Sequence, residues 1–132
     1  MIARRTTLKR YTRVRRKRSR PTRGPERSPE YLAWIRTLPC AVCHRSPGGV
    51  SIEAAHTSAL GPRGISQKSP DYSAVPLCTW RHRAGPDSYH RLGERSFEER
   101  FGIKLTEVVS TFHQAFRGPN RKGSCTPYLV GA

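Results

Sequence analysis

Acidic side chains are what this sequence most lacks: 9 Asp and Glu stand against 25 Lys and Arg, a formal net charge of +16 over 132 residues. Such an imbalance points to a polyanionic partner. Long apolar runs are missing too. Neither a membrane-spanning helix nor the apolar stretch of a signal peptide can be drawn, so a cytoplasmic protein is expected. No internal repeat is visible, and the length suits one compact domain and little more. Cysteine is sparse, with only Cys40, Cys43, Cys78 and Cys125. In a reducing compartment four thiols are better read as metal ligands than as disulfides.

The basic residues that are present sit unevenly. Residues 1–27 carry twelve of them and one acid, Glu26, so +11 of the +16 lies there. With only Ile2, Leu8, Tyr11 and Val14 as sizeable apolar side chains, this segment repels itself and has little to bury, and a disordered arm is expected. Arginine outnumbers lysine, which suits phosphate, because a planar guanidinium bonds two phosphate oxygens at once. Arg13, Arg15, Arg16, Lys17, Arg18 and Arg20 are the densest candidates for nucleic-acid contact. No amphipathic apolar stripe favours a membrane surface instead. Residues 28–118 then read as the folded domain and 119–132 as an irregular tail.

Within the domain, Ser28-Pro29-Glu30 has the form of a helix start: an N-cap hydroxyl, a proline in the first turn, then an acid. Tyr31, Leu32, Ile35 and Leu38 make one apolar face, and the helix must stop before Pro39. Pro47-Gly48-Gly49 is a turn. Val50, Ile52, Ala54 and His56 alternate with Ser51, Glu53 and Ala55, the period of a short strand. A loop over 57–70 follows, and Ala74–Cys78 resumes as a second strand in which Pro76 marks an edge or an end. From Thr79 the chain should turn helical, with a break near Gly85-Pro86. Ser96 is expected to cap one short helix closed by Gly102, and Thr106 to cap a last one ended by Gly118-Pro119. Trp34 and Trp80 read as core, and His113 as a surface residue.

The Cys40-Ala-Val-Cys43 spacing suits a zinc knuckle, whose tight turn presents two thiolates to one ion. Redox motifs share that spacing, but they sit in a βαβ context that this sequence does not show. His56 ends the first strand, Cys78 ends the second, and His82 and His90 lie just beyond. In its AH…D…PLC…H…H arrangement the stretch 39–103 resembles the HNH, or ββα-metal, nucleases, closest to the phage and bacterial branch that includes a recombination-enhancement nuclease. The likeness covers about half of the chain.

That resemblance implies an α+β fold, a small zinc-stapled ββα-metal finger with flanking helices, and metal-dependent hydrolysis of DNA phosphodiester bonds. By resemblance His56 is the general base, Asp71 the acid of the loop before strand two, and His82 and His90 the downstream histidines. Asp71, His82 and His90 would hold a catalytic Mg²⁺ or Mn²⁺. Cys40, Cys43 and Cys78 would hold a structural Zn²⁺, with Arg81 where relatives carry the fourth ligand; Cys125, His44 and His82 are the alternatives. Ala55 stands where relatives often place a metal-binding residue, and Ser73 where many have asparagine. Arg81 and Arg83 would touch DNA, and a recombinase filament is a further partner implied for this branch. The rival readings are a non-catalytic zinc-containing DNA- or RNA-binding protein and a basic ribosomal-type protein. The second of these leaves the histidines without a purpose.

Overall fold

The computed structural model of the protein describes residues 26–61 and 68–118. The expectations for the arm before Glu26, for Arg13, Arg15, Arg16, Lys17, Arg18 and Arg20 within it, and for the tail with Cys125 lie outside these residues.

Helix α1, Pro29–Ile35, begins where its local chemistry dictates: the Ser28 hydroxyl accepts from the Tyr31 N–H at 3.3 Å, Pro29 sits in the first turn, and Glu30 faces the helix N-terminus. Tyr31 and Ile35, four residues apart, present one face and are both fully buried. Strands β1, Ile52–His56, and β2, Ala74–Cys78, pair antiparallel from Ile52 opposite Cys78 to His56 opposite Ala74. Every residue of β2 is buried, with α1 and the last helix packed against it. Pro76 lies in mid-strand opposite Ala54. A two-stranded sheet leaves each strand a free edge, so its missing N–H costs no ladder bond there. Its carbonyl accepts from the Ala41 N–H at 2.8 Å, which ties the knuckle to the hairpin.

A single 3₁₀ turn, Asp71–Ser73, leads into β2. Beyond β2 the chain makes one π-type turn, Trp80–Ala84, closed by the Gly85 N–H on the Trp80 carbonyl at 2.8 Å. Helices α2, Tyr89–Leu92, α3, Glu94–Phe101, and α4, Leu105–Arg117, complete the fold. The described residues form a small α+β arrangement around one two-stranded sheet.

Two helix starts differ from expectation. Ser96 lies inside α3, which opens at Glu94 because Gly93, at φ 76°, ends α2 and starts α3 in one left-handed step. Thr106 likewise lies inside α4. There the Glu98 carboxylate, reaching from α3, accepts from the Leu105 N–H at 2.7 Å and does what a local hydroxyl would have done.

The core gathers Tyr31, Ile35, Val75, Leu77, Phe97, Leu105, Val108 and Val109, all essentially buried. Burying side chains of this size stabilises by about 1.5–3 kcal/mol each. Trp34 joins this core through rings 5.8 Å from Tyr31 and 5.4 Å from Phe116. Trp80 does not: it is 57% exposed. His113 is half-buried, its ring 4.9 Å from that of Tyr72, rather than free on the surface.

Candidate functional site

The knuckle folds as a compact loop. The Cys40 carbonyl accepts from the His44 N–H at 2.9 Å, and the Cys40 N–H donates to the Arg45 carbonyl at 3.0 Å. His44 takes the left-handed conformation, φ 57°, that closes the loop. The tie from Ala41 to Pro76 sets this loop beside the end of β2, and the Sγ atoms of Cys40, Cys43 and Cys78 all lie within 4.8 Å of one another. None is in a disulfide. The Cys43 and Cys78 sulfurs are 3.7 Å apart. Two thiolates each 2.3 Å from a tetrahedral zinc would be roughly 3.8 Å apart, so both donor set and spacing fit such an ion.

Burial pushes the Cys40 thiol up to about 11. Burial also raises Cys43, but the Arg45 backbone, the two neighbouring thiols and the Arg45 charge outweigh it and hold that thiol below its ordinary value. Among the described residues the cluster has three members. His44 is exposed, and His82 is engaged elsewhere. Arg81 lays its guanidinium 4.7 Å from the Phe101 ring centre. A hollow of about 310 Å³ opens beside the cluster, lined by Cys43, Arg45, Cys78, Trp80 and Arg81.

At the other end of β1, His56 meets Asp71 with Nε2 3.2 Å from Oδ1. The Asp71 side chain is only 5% exposed, and it also accepts from the Arg27 guanidinium and the Ser28 N–H, each at 2.9 Å. Burial raises Asp71, but the Ser28 N–H, the His56 ring and Arg27 outweigh it and keep the carboxyl below the usual carboxylate range. An ionised carboxylate only accepts. The contact therefore assigns a proton to His56 Nε2 and, in the neutral ring, leaves the lone pair on Nδ1.

A second array starts three residues earlier on the same strand. Glu53 receives His82 Nδ1 on Oε2 at 2.6 Å, and Arg83 and Thr79 on Oε1 at 2.7 and 3.2 Å. His82 Nε2 faces His90 Nε2 at 3.1 Å. Burial opposes ionisation of Glu53, yet His82, Thr79 and Arg83 together hold it below the ordinary range. Burial, then the charges of His82 and Arg83, keep His90 below the usual histidine value and so neutral near pH 7. In the neutral His82 ring, with Nδ1–H given to Glu53, the Nε2 lone pair would point toward His90. Two imidazoles 2.0–2.1 Å from one tetrahedral ion would sit roughly 3.3 Å apart, close to the separation here, but among the described residues only the three cysteines form a group of three or more candidate metal ligands.

Asp71 thus stands with His56 and Arg27, and the carboxylate behind the paired histidines is Glu53, which sequence reading passed over as a strand residue. Its one signal was a charged side chain between apolar ones in a strand. Ala55 is fully buried and its methyl offers no ligand atom, and the Ser73 hydroxyl donates to the Pro70 carbonyl at 2.7 Å.

A model of a family described as a protein of unknown function, DUF968, matches residues 17–118. No curated protein and no solved structure matches the chain. Among the described residues no helix is long and apolar enough to cross a membrane.

Proposed function

We propose, for a chain that belongs to the DUF968 family of proteins of unknown function, a metal-dependent endonuclease acting on DNA. One observation carries the reading: a single five-residue strand bears both a histidine paired to a buried carboxylate and a glutamate that orients a facing pair of histidines. Hydrolysis of a phosphodiester needs a proton taken from water and charge offset at the phosphate and the leaving 3′-oxygen. His56 takes the proton at its unprotonated ring nitrogen. Asp71 fixes the ring and stabilises its charged form, and Arg27 and Ser28 hold Asp71 in place. His82 and His90 would hold the divalent ion, Mg²⁺ or Mn²⁺, with Glu53 bound to His82 Nδ1 so that Nε2 of the neutral ring is turned outward. When bound, such an ion would supply positive charge for the scissile phosphate and the leaving oxygen.

The hairpin-then-helix order after the Cys40–Cys43 loop supports the same reading, with zinc as the staple. Cytoplasmic location and a recombinase filament as partner belong to it as well. The test is plasmid nicking with Mg²⁺ or Mn²⁺, abolished by chelator. His56→Ala should lower the cleavage rate about 10²–10⁴-fold with DNA binding and metal content unchanged, the usual effect of removing a general base. Parental cleavage by that variant would remove His56 from the mechanism. The buried Ala55 and the Arg81–Phe101 contact favour one alternative, a non-catalytic zinc-containing DNA- or RNA-binding protein. Tight binding with no metal-dependent cutting by the parental chain would select it.

A further inference from the structure

Trp80 opens the π-type turn that carries His82, and it is the most exposed of the large apolar side chains described. Its exposure is not looseness. A Cβ built on Gly85 would lie 2.8 Å from the indole Nε1 and 2.9 Å from Cε2, so the bare Gly85 backbone lies against the ring and pins it. The turn is itself locked by the Gly85 N–H on the Trp80 carbonyl. Beside the ring lies the hollow of about 310 Å³ whose other walls are the Cys43 and Cys78 side chains and two cations, Arg45 and Arg81. Arg45 is exposed, and Arg81, stacked on Phe101, is held in place with its N–H groups in the guanidinium plane. An aromatic face, open space beside it, a guanidinium stacked on Phe101 and a second, exposed one at the rim are what an unstacked base with its flanking phosphates requires.

We infer that Trp80 is a stacking platform for an unpaired base of a DNA strand, with Arg45 and Arg81 taking the adjacent phosphates. The inference deepens the nuclease reading and rests on it for the choice of DNA. Placed in the same turn as His82, the platform would hold a splayed base next to the strand being cut, so substrates with unpaired bases are preferred to intact duplex. Every base has a π face, so the platform reads strandedness and not sequence.

The test is fluorescence anisotropy of the full zinc-loaded chain with a labelled single strand and with the matching duplex, at one salt concentration and without added Mg²⁺ or Mn²⁺. Trp80→Ala should weaken single-strand binding about 5- to 100-fold, the effect of losing one base–aromatic stack, and leave duplex binding unchanged. Trp80→Phe should recover most of the loss. Trp80→Leu, apolar and bulky but without a ring, should bind like Trp80→Ala, and it carries the test alone should the alanine variant shed its zinc. Equal losses on both substrates, no loss on the single strand, or leucine binding as well as phenylalanine would each overturn the proposal. No turnover enters these measurements. A chain that never cuts DNA still tests the platform, and a failed platform leaves the His56→Ala result standing.

Discussion

Asp71 accepts from a backbone N–H, a guanidinium and an imidazole at once, with its side chain almost closed to water. Asp71→Asn keeps the shape but removes the charge and turns one acceptor into a donor facing donors. The variant should be less stable by about 1–3 kcal/mol at neutral pH, the cost of leaving such groups unsatisfied. The sign of the pH dependence follows from the depressed carboxyl. Its contribution is fully present above the unfolded value near 3.9 and is lost as pH falls through the lower folded value. Urea titrations of both proteins should therefore show a gap at pH 7 that narrows below about pH 4. A gap that is constant with pH would mean the residue acts through shape alone. Glu53 is a different kind of residue: its importance comes from His82, 29 positions away, and no local pattern announces a pairing that only the hairpin and the following turn bring about. Trp80 was misread for a related reason. A large aromatic is core by default, and only the fold shows that Gly85 and the end of β2 leave its ring outside.

At the scale of elements, what is local was legible. The start of α1 depends on Ser28 and Pro29 alone, and both strands follow from alternation and apolar content. The starts of α3 and α4 were not, since Gly93 serves two helices and the cap on Leu105 arrives from Glu98 in the neighbouring helix. The knuckle lies between these cases: its two-residue spacing was visible, while its seat against β2 needed the Ala41–Pro76 hydrogen bond. Because that seat joins the loop at 40–45 to the end of the hairpin, an ion held by Cys40, Cys43 and Cys78 would contribute folding free energy directly. Elemental analysis should find about one zinc per chain. Cys43→Ser, or a strong chelator, should lower the melting temperature sharply or leave the chain unfolded. A metal-free chain that melts like the loaded one would dismiss the cluster as a structural centre.

For the whole molecule, charge would decide how the proposed DNA contact is made. Residues 1–25 hold eleven basic side chains and no acid. If about six of them neutralise phosphates together, the slope of log affinity against log salt should be near −5, at roughly 0.9 per phosphate. A chain beginning at Glu26 should show a much flatter slope, keep its zinc and still cut at low salt, which a salt titration of both chains on one duplex would reveal. An unchanged slope would assign the phosphate contacts to the folded part. The truncation must stop at Glu26 because the Glu26 carbonyl accepts from the Asp71 N–H at 3.0 Å, and Arg27 bonds the Asp71 side chain. The same two contacts root the basic run beside His56. Its 25 residues reach at most ~85 Å fully extended, so a strand caught by them stays within that leash of the hairpin. Confinement on that scale corresponds to a local concentration of about a millimolar. If the proposed nuclease reading holds, rebinding at the hairpin should compete with escape, and successive cuts on one DNA molecule should outnumber those expected from independent encounters.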